Sequence, residues 1–151
     1  MDKRIEEVVN EQLNNEIWSF GVYMAFQLYF SEQNIPMLSS WLGMQVQKKA
    51  ARIGKITAYL LAGGLEVSLK EQVFTPQDKQ EPMAALEAFF SHEQYFHRQV
   101  DDFLSWTREV DDSSLRCLAF DLYADEVNVS DFFFELLRIL AKEWRRMLPL
   151  E

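Results

Sequence analysis

Apolar positions recur at helical spacing in four long segments of the chain. The first runs from about Asp2 to Phe30, with Ile5, Val9, Gln12, Glu16, Phe20, Tyr23, Gln27 and Phe30 along its inward stripe. Ile17, Met24 and Leu28 lie on the opposite side, so from Glu16 onward this helix is apolar almost all round. Such a helix is buried on more than one side. In a four-helix domain the second side needs a neighbouring subunit. Pro36 in "SEQNIP" reads as the stop of the first helix. The second helix runs from about Leu38 to Ala62, where Gly63-Gly64 supplies a C-terminal stop. Pro82 suits a first helical turn and opens the third, which runs to about Glu109. "DDSS" offers N-caps for the fourth, from about Ser114 to Arg146, and Pro149 follows it.

The link between helices two and three decides the topology. At about 17 residues (65 to 81) it reaches about 56 Å when extended. Helix two is about 38 Å long at the usual rise per residue. The link therefore travels the full length of the bundle and lets helices two and three run parallel. The other two connections are short and enforce antiparallel neighbours. Two antiparallel hairpins joined by one long crossover form the ferritin-like arrangement of an all-α four-helix bundle. A plain up-down bundle with an unstructured loop is the alternative.

The inward stripes carry charges. On helix two, Lys49 and Arg52 share the stripe of Trp41, Leu42, Gln45, Ile53 and Ile56. Glu16 lies between Gln12 and Phe20 on helix one. Glu93 shares the Leu86, Phe89, Phe90 and Val100 stripe of helix three. Glu126 falls between Leu122 and Val129 on helix four. A polar residue at a bundle end would explain any one of these acids. All three, however, lie near mid-helix, at heights that match in one layer. Unpaired buried carboxylates are costly, so each must meet a cation, a metal or a hydrogen-bond donor, or stay protonated.

Composition narrows the class. Hydrophobic residues are 48% of the 151, enough for a core, and the 5 Gly and 4 Pro favour long elements over a turn-rich fold. The whole of 1–151 reads as one domain. Twelve Phe and four Trp bring aromatics to 14%, which points some of them towards a partner surface. A net charge of -9 argues against nucleic-acid binding through a basic face. The single Cys117 excludes an internal disulfide and fits a reducing, cytoplasmic compartment. The start "MDKRIEEVVNEQ" is too polar for a signal peptide, and no apolar run approaches a membrane span.

Several segments together resemble the bacterial and archaeal non-haem ferritins over about residues 5 to 140. "LNNEIWSFGVYM" resembles the family's first-helix segment, with Glu16 at a ligand position and Tyr23 at its nearby tyrosine. "WLGMQVQ" resembles the start of its second helix. "GGLEVSL" and "EPMAALEAFFSHEQ" resemble the crossover and third helix, with Glu93 at a ligand position. "LYADEV" resembles the fourth, with Glu126 in place. The resemblance implies iron storage, a di-iron ferroxidase site, and homo-oligomers built through helices one and two. A larger cage and co-assembly with an active ferritin stay open.

Helix two departs from the family pattern. Ferritins carry Glu-Glu followed by His three residues after the second Glu; the second Glu bridges two irons and the His binds one. Those positions here are Lys48, Lys49 and Arg52. The Gln or Glu after the fourth-helix ligand is Val127, and the accessory carboxylates beyond it are Val129 and Ser130. Protonated Lys and Arg do not ligate metal, and they repel it at close range. The expectation is an internal Lys/Arg–Glu salt-bridge cluster in place of the metals, and no ferroxidase catalysis. No metal or cofactor is expected to bind tightly.

Other features weigh less. Glu93 and His97 stand one turn apart and offer a weak metal pair, against a merely structural histidine. Haem-binding relatives place Met after the bridging Glu, where this chain has Ala50, so haem is not expected. The His and Asp motifs of the DNA-coating mini-ferritins are missing from helix two. The chain stops at "RRMLPLE", too soon for the family's fifth helix, which weakens the expectation of a cage. Three functions follow: an accessory or structural iron-storage subunit; a bundle that serves interaction alone; or an active ferritin with altered ligands.

Overall fold

The computed structural model describes residues 3–72 and 81–147. They form four helices: α1 (Lys3–Glu32), α2 (Pro36–Ala62), α3 (Pro82–Thr107) and α4 (Ser113–Met147). The expected start at Asp2, the second half of the link and Pro149 fall outside the described residues. One boundary differs in kind. Pro36 does not terminate α1 but opens α2, where a missing N–H costs nothing. The turn before it bends at Asn34, whose φ of 57° is left-handed, a conformation that Asn tolerates. Asp112 caps α4 by accepting the Leu115 N–H at 3.0 Å.

The core lies in two apolar clusters at opposite ends of the bundle. One gathers Ile5, Val9, Leu60, Phe103, Leu104 and Leu115. The other gathers Phe30, Leu38, Leu86, Phe89, Phe133 and Leu136. The start of α1 therefore lies with the end of α2, the end of α3 and the start of α4. So α2 and α3 run parallel, as the length of the link requires. The helices pack as α1 on α2, α3 on α4, α1 on α3 and α2 on α4; among the described residues the diagonal pairs meet only through side chains, their Cα atoms staying more than 8 Å apart.

The described half of the crossover is held along α1 by two buried asparagines. Asn10 Nδ2 donates to the Glu66 carbonyl at 2.8 Å and its Oδ1 accepts the Ser68 N–H at 2.7 Å. One turn on, Asn14 does the same with the Ser68 carbonyl and the Lys70 N–H. Four backbone groups of the link are thus satisfied without a strand partner, and it travels in the direction of α1.

Helix α1 departs in detail from its expected stripe. Phe20 and Gln27 are only half-buried, while Ser19 and Phe26 are buried. Tyr23 and Phe30 stay buried as expected, while Ser19 and Phe26 are drawn in by α3, where they meet His92 and Phe89. On the far side Ile17 is half-buried, Met24 is 41% exposed and Leu28 is 63% exposed. Among the described residues no helix is long and apolar enough to cross a membrane.

Candidate functional site

A charged layer separates the two apolar clusters. Each helix contributes to it: Glu16 from α1, Lys49 and Arg52 from α2, Glu93 from α3 and Glu126 from α4. All five are at most 4% exposed. The three acids and two bases singled out by their stripes therefore do meet. Lys48 is exposed at the mouth of a groove of about 230 Å³ between α2 and α4, beside Asp125 and Asn128. Val127 is half-buried.

Arg52 ties the layer together. Its guanidinium donates to Glu16 Oε1 at 2.5 Å and to Glu126 Oε2 at 3.2 Å, so one residue joins α1, α2 and α4. Burial opposes its charge, but Glu16 and then Glu126 outweigh burial and hold its pKa above the ordinary value. Glu16 Oε1 also accepts from Gln12 Nε2 at 3.5 Å.

Lys49 is held differently. Its Nζ lies 4.0 Å from Glu16 Oε2, too far for a hydrogen bond, and has no hydrogen-bond partner among the described residues. It sits instead 3.9 Å from the ring centroid of Phe96 and 4.5 Å from that of Tyr23. Burial is the main force lowering its pKa, with Arg52 acting in the same sense and the Glu16 carboxylate acting against both.

Glu93 Oε2 and Glu126 Oε1 have no hydrogen-bond partner among the described residues. Burial and then the Glu126 charge push the Glu93 pKa up to about 8, so Glu93 is protonated at neutral pH. Lys49 and Arg52 pair with Glu16, and Arg52 also with Glu126, while Glu93 has no ion pair among the described residues. Tyr23 donates its hydroxyl to Glu93 Oε1. Burial, then Glu93 and Glu126, holds the Tyr23 pKa well above its ordinary value, so it remains a donor.

The histidines take different places. His92 Nε2 pairs with Ser19 Oγ at 2.9 Å, and its ring lies 4.7 Å from that of Trp18. Burial, helped by the Lys49 charge, drives its pKa down to about 3, so it is neutral. His97 shares with Glu93 the wall of a cavity of about 520 Å³ between α3 and α4, and its Nδ1 has no partner among the described residues. Among those residues, no three or more His, Cys, Asp or Glu are grouped to hold a metal ion.

The sequence reading missed three parts of this arrangement. Phe96 stands three residues after Glu93, and that spacing carries it to the same layer. Ser19 follows from its partner only once both helices are placed. Asn10 and Asn14, one turn apart on α1, are a polar pair that a long link needs, and their spacing was the available signal.

A model of the ferritin-like domain matches residues 6–142. Over 101 residues the chain is 22% identical to a bacterial non-haem ferritin of Bacteroides fragilis, across 67% of this chain and 64% of that protein's length. Among solved structures, a humanized archaeal ferritin superposes with a TM-score of 0.83 at 21% identity, covering 98% of this chain and 93% of the other. An open-pore ferritin from Archaeoglobus fulgidus gives 0.83 at 21%, over 96% and 91%. Chlorobium tepidum ferritin gives 0.82 at 18%, over 91% and 84%. The chain belongs to the ferritin-like domain family, and within it resembles the non-haem ferritins.

Proposed function

We propose that this chain is an accessory or structural subunit of a ferritin-type iron-storage assembly, and that it does not oxidise iron(II) at the centre of its own bundle. The carrying observation is Arg52, fixed between Glu16 and Glu126 where the family resemblance places an iron-binding histidine. A pair of metal ions does not fit these side chains. Lys49 stands at the place of the bridging carboxylate and Arg52 at that of the imidazole. Both are cations, and between them they neutralise Glu16 and Glu126. Of the three acids only Glu93 has no salt bridge among the described residues, and burial keeps it protonated at neutral pH. Hard divalent ions need several anionic oxygens, and no such set is left free here.

Assembly is proposed through the outward side of α1 and its neighbour α2. Leu28, Met24 and, on α2, Met44 and Leu61 are exposed apolar side chains. Exposed apolar side chains on these two helices suit a protein partner, and a second copy is the simplest one. The exposed, unpaired Cys117 is consistent with a reducing compartment such as the cytoplasm.

The test is anaerobic iron(II) titration followed by oxygen, with particle mass recorded in parallel. The expected result is no fast, saturable oxidation phase and slow mineral accumulation in a large particle, alone or mixed with an active ferritin. Fast oxidation saturating at about two irons per chain would refute the proposal. A small oligomer that takes up no iron under any mixture would point to a bundle used for interaction alone.

A further inference from the structure

Lys49 and Arg52 occupy the centre in unequal ways. Arg52 is a directional clamp, with two charged hydrogen bonds at 2.5 and 3.2 Å. Lys49 makes no hydrogen bond to any described residue, although an ammonium has three donors to satisfy. Two ring faces and the nearby Glu16 carboxylate hold it. Phe96 and Tyr23 present their rings at 3.9 and 4.5 Å, and Glu16 Oε2 is 4.0 Å away. An aromatic pair with a carboxylate beyond hydrogen-bond distance is a set of non-directional attractions. It selects a compact monovalent cation, whatever chain carries it.

We propose that the bundle centre contains a built cage for a small primary ammonium ion, walled by the rings of Tyr23 and Phe96 and by Glu16, which the chain fills with its own Lys49. The inference rests on the functional reading above only for the statement that a cation, not a metal pair, belongs at this place. A divalent metal is a poor occupant. Arg52 already engages Glu16 Oε1 and Glu126 Oε2, and two of the cage walls are rings without oxygen ligands on their faces. Access exists along the stem of the lysine. Lys49 also lines the groove of about 230 Å³ between α2 and α4, with Trp41, Gln45 and Asn128. Cutting the side chain back to Cβ joins the cage to that groove.

Lys49→Ala removes the Cγ, Cδ, Cε and Nζ atoms, and n-propylammonium supplies the same four heavy atoms as a free ion. Thermal unfolding of the full chain is measured for wild type, Lys49→Ala and Lys49→Met. Each is titrated with n-propylammonium chloride, sodium chloride and manganese chloride. Both variants are expected to melt below wild type. Propylammonium is expected to raise the Tm of Lys49→Ala saturably and beyond the effect of sodium. It should leave wild type and Lys49→Met unmoved, because their cages are filled. If Lys49→Ala does not fold in plain buffer, its refolding yield with propylammonium is read instead, and a gain over sodium supports the cage.

Four outcomes overturn the proposal. Lys49→Ala gains nothing over sodium in either readout; wild type and Lys49→Met gain as much as Lys49→Ala; Lys49→Met melts at or above wild type; or manganese stabilises Lys49→Ala more than propylammonium does. Fast iron oxidation by the wild-type protein would instead refute the functional reading and leave the comparison of ions intact.

Discussion

Arg52→Leu is the sharpest test of the charged layer. Arg52 is 2% exposed and is the residue that binds both Glu16 and Glu126. Leucine fills much of the aliphatic volume but strands the acids. Glu16 keeps Gln12 Nε2 at 3.5 Å and Lys49 at 4.0 Å, and Glu126 loses its salt bridge. Removing one partner of a buried pair costs about 3–5 kcal/mol, most of it from the charge left behind. A domain of this size loses about 2–4 °C of Tm per kcal/mol, so the expected fall is about 6–20 °C. Thermal unfolding by circular dichroism and calorimetry reads it. The pH dependence separates charge from packing. In the variant the stranded carboxylates hold protons above their unfolded-state pKa, so the loss is smallest in acid and grows as pH rises. Adding Glu16→Gln and Glu126→Gln to Arg52→Leu is expected to recover stability. An unchanged or raised Tm at neutral pH would refute the reasoning. So would a fall that is the same at every pH, since that would be the signature of a packing defect.

The remaining predictions concern single features. Glu93 keeps its proton to about 8 when folded but releases it near the ordinary 4.5 when unfolded, so wild-type stability falls as pH rises between these values and levels off above. Glu93→Gln keeps an acceptor for Tyr23 and is expected to remove this slope of up to about 1.4 kcal/mol per pH unit; equal slopes in denaturant titrations would show that Glu93 ionises normally. Asn14→Ala deletes two crossover bonds of 2.8 and 2.7 Å. It is expected to cost about 1–3 kcal/mol and to abolish amide-exchange protection at Lys70, which unchanged exchange would contradict. Leu28→Arg places a charge on the outward face of α1, where Leu28 is 63% exposed. Sedimentation is expected to show a smaller particle with unchanged helix content, and an unchanged mass would move the subunit contact elsewhere.

Most of the fold was legible because its two deciding facts are local. Apolar spacing marks four helices, and the length of the link between the second and third makes them parallel. What was not legible lay where a residue has two valid uses. Pro36 can end one helix or begin the next, and only the left-handed turn at Asn34 settles it. Phe20 and Phe26 both suit an inward stripe, and contact with Phe89 on α3 chooses Phe26. The path of the crossover was open as well. It depends on Asn10 and Asn14, whose side chains replace a missing strand partner, and nothing in a single asparagine distinguishes that use from a solvated one.

The charged layer was legible as to which residues meet, since burial of an acid on one stripe demands a base on another. How the charge is shared was not legible. Lys49 and Arg52 stand three residues apart on the same stripe and differ little by pattern. In the bundle a planar fork of donors spans two carboxylates on different helices, while a compact ammonium satisfies neither and settles against Phe96 and Tyr23. Spacing along one helix cannot predict that division, because it depends on the distances between helices. The charge sum was hidden for the same reason. Three acids against two bases leaves one negative charge in excess. Burial beside Glu126 holds a proton on Glu93, the one acid of the three without an ion pair among the described residues.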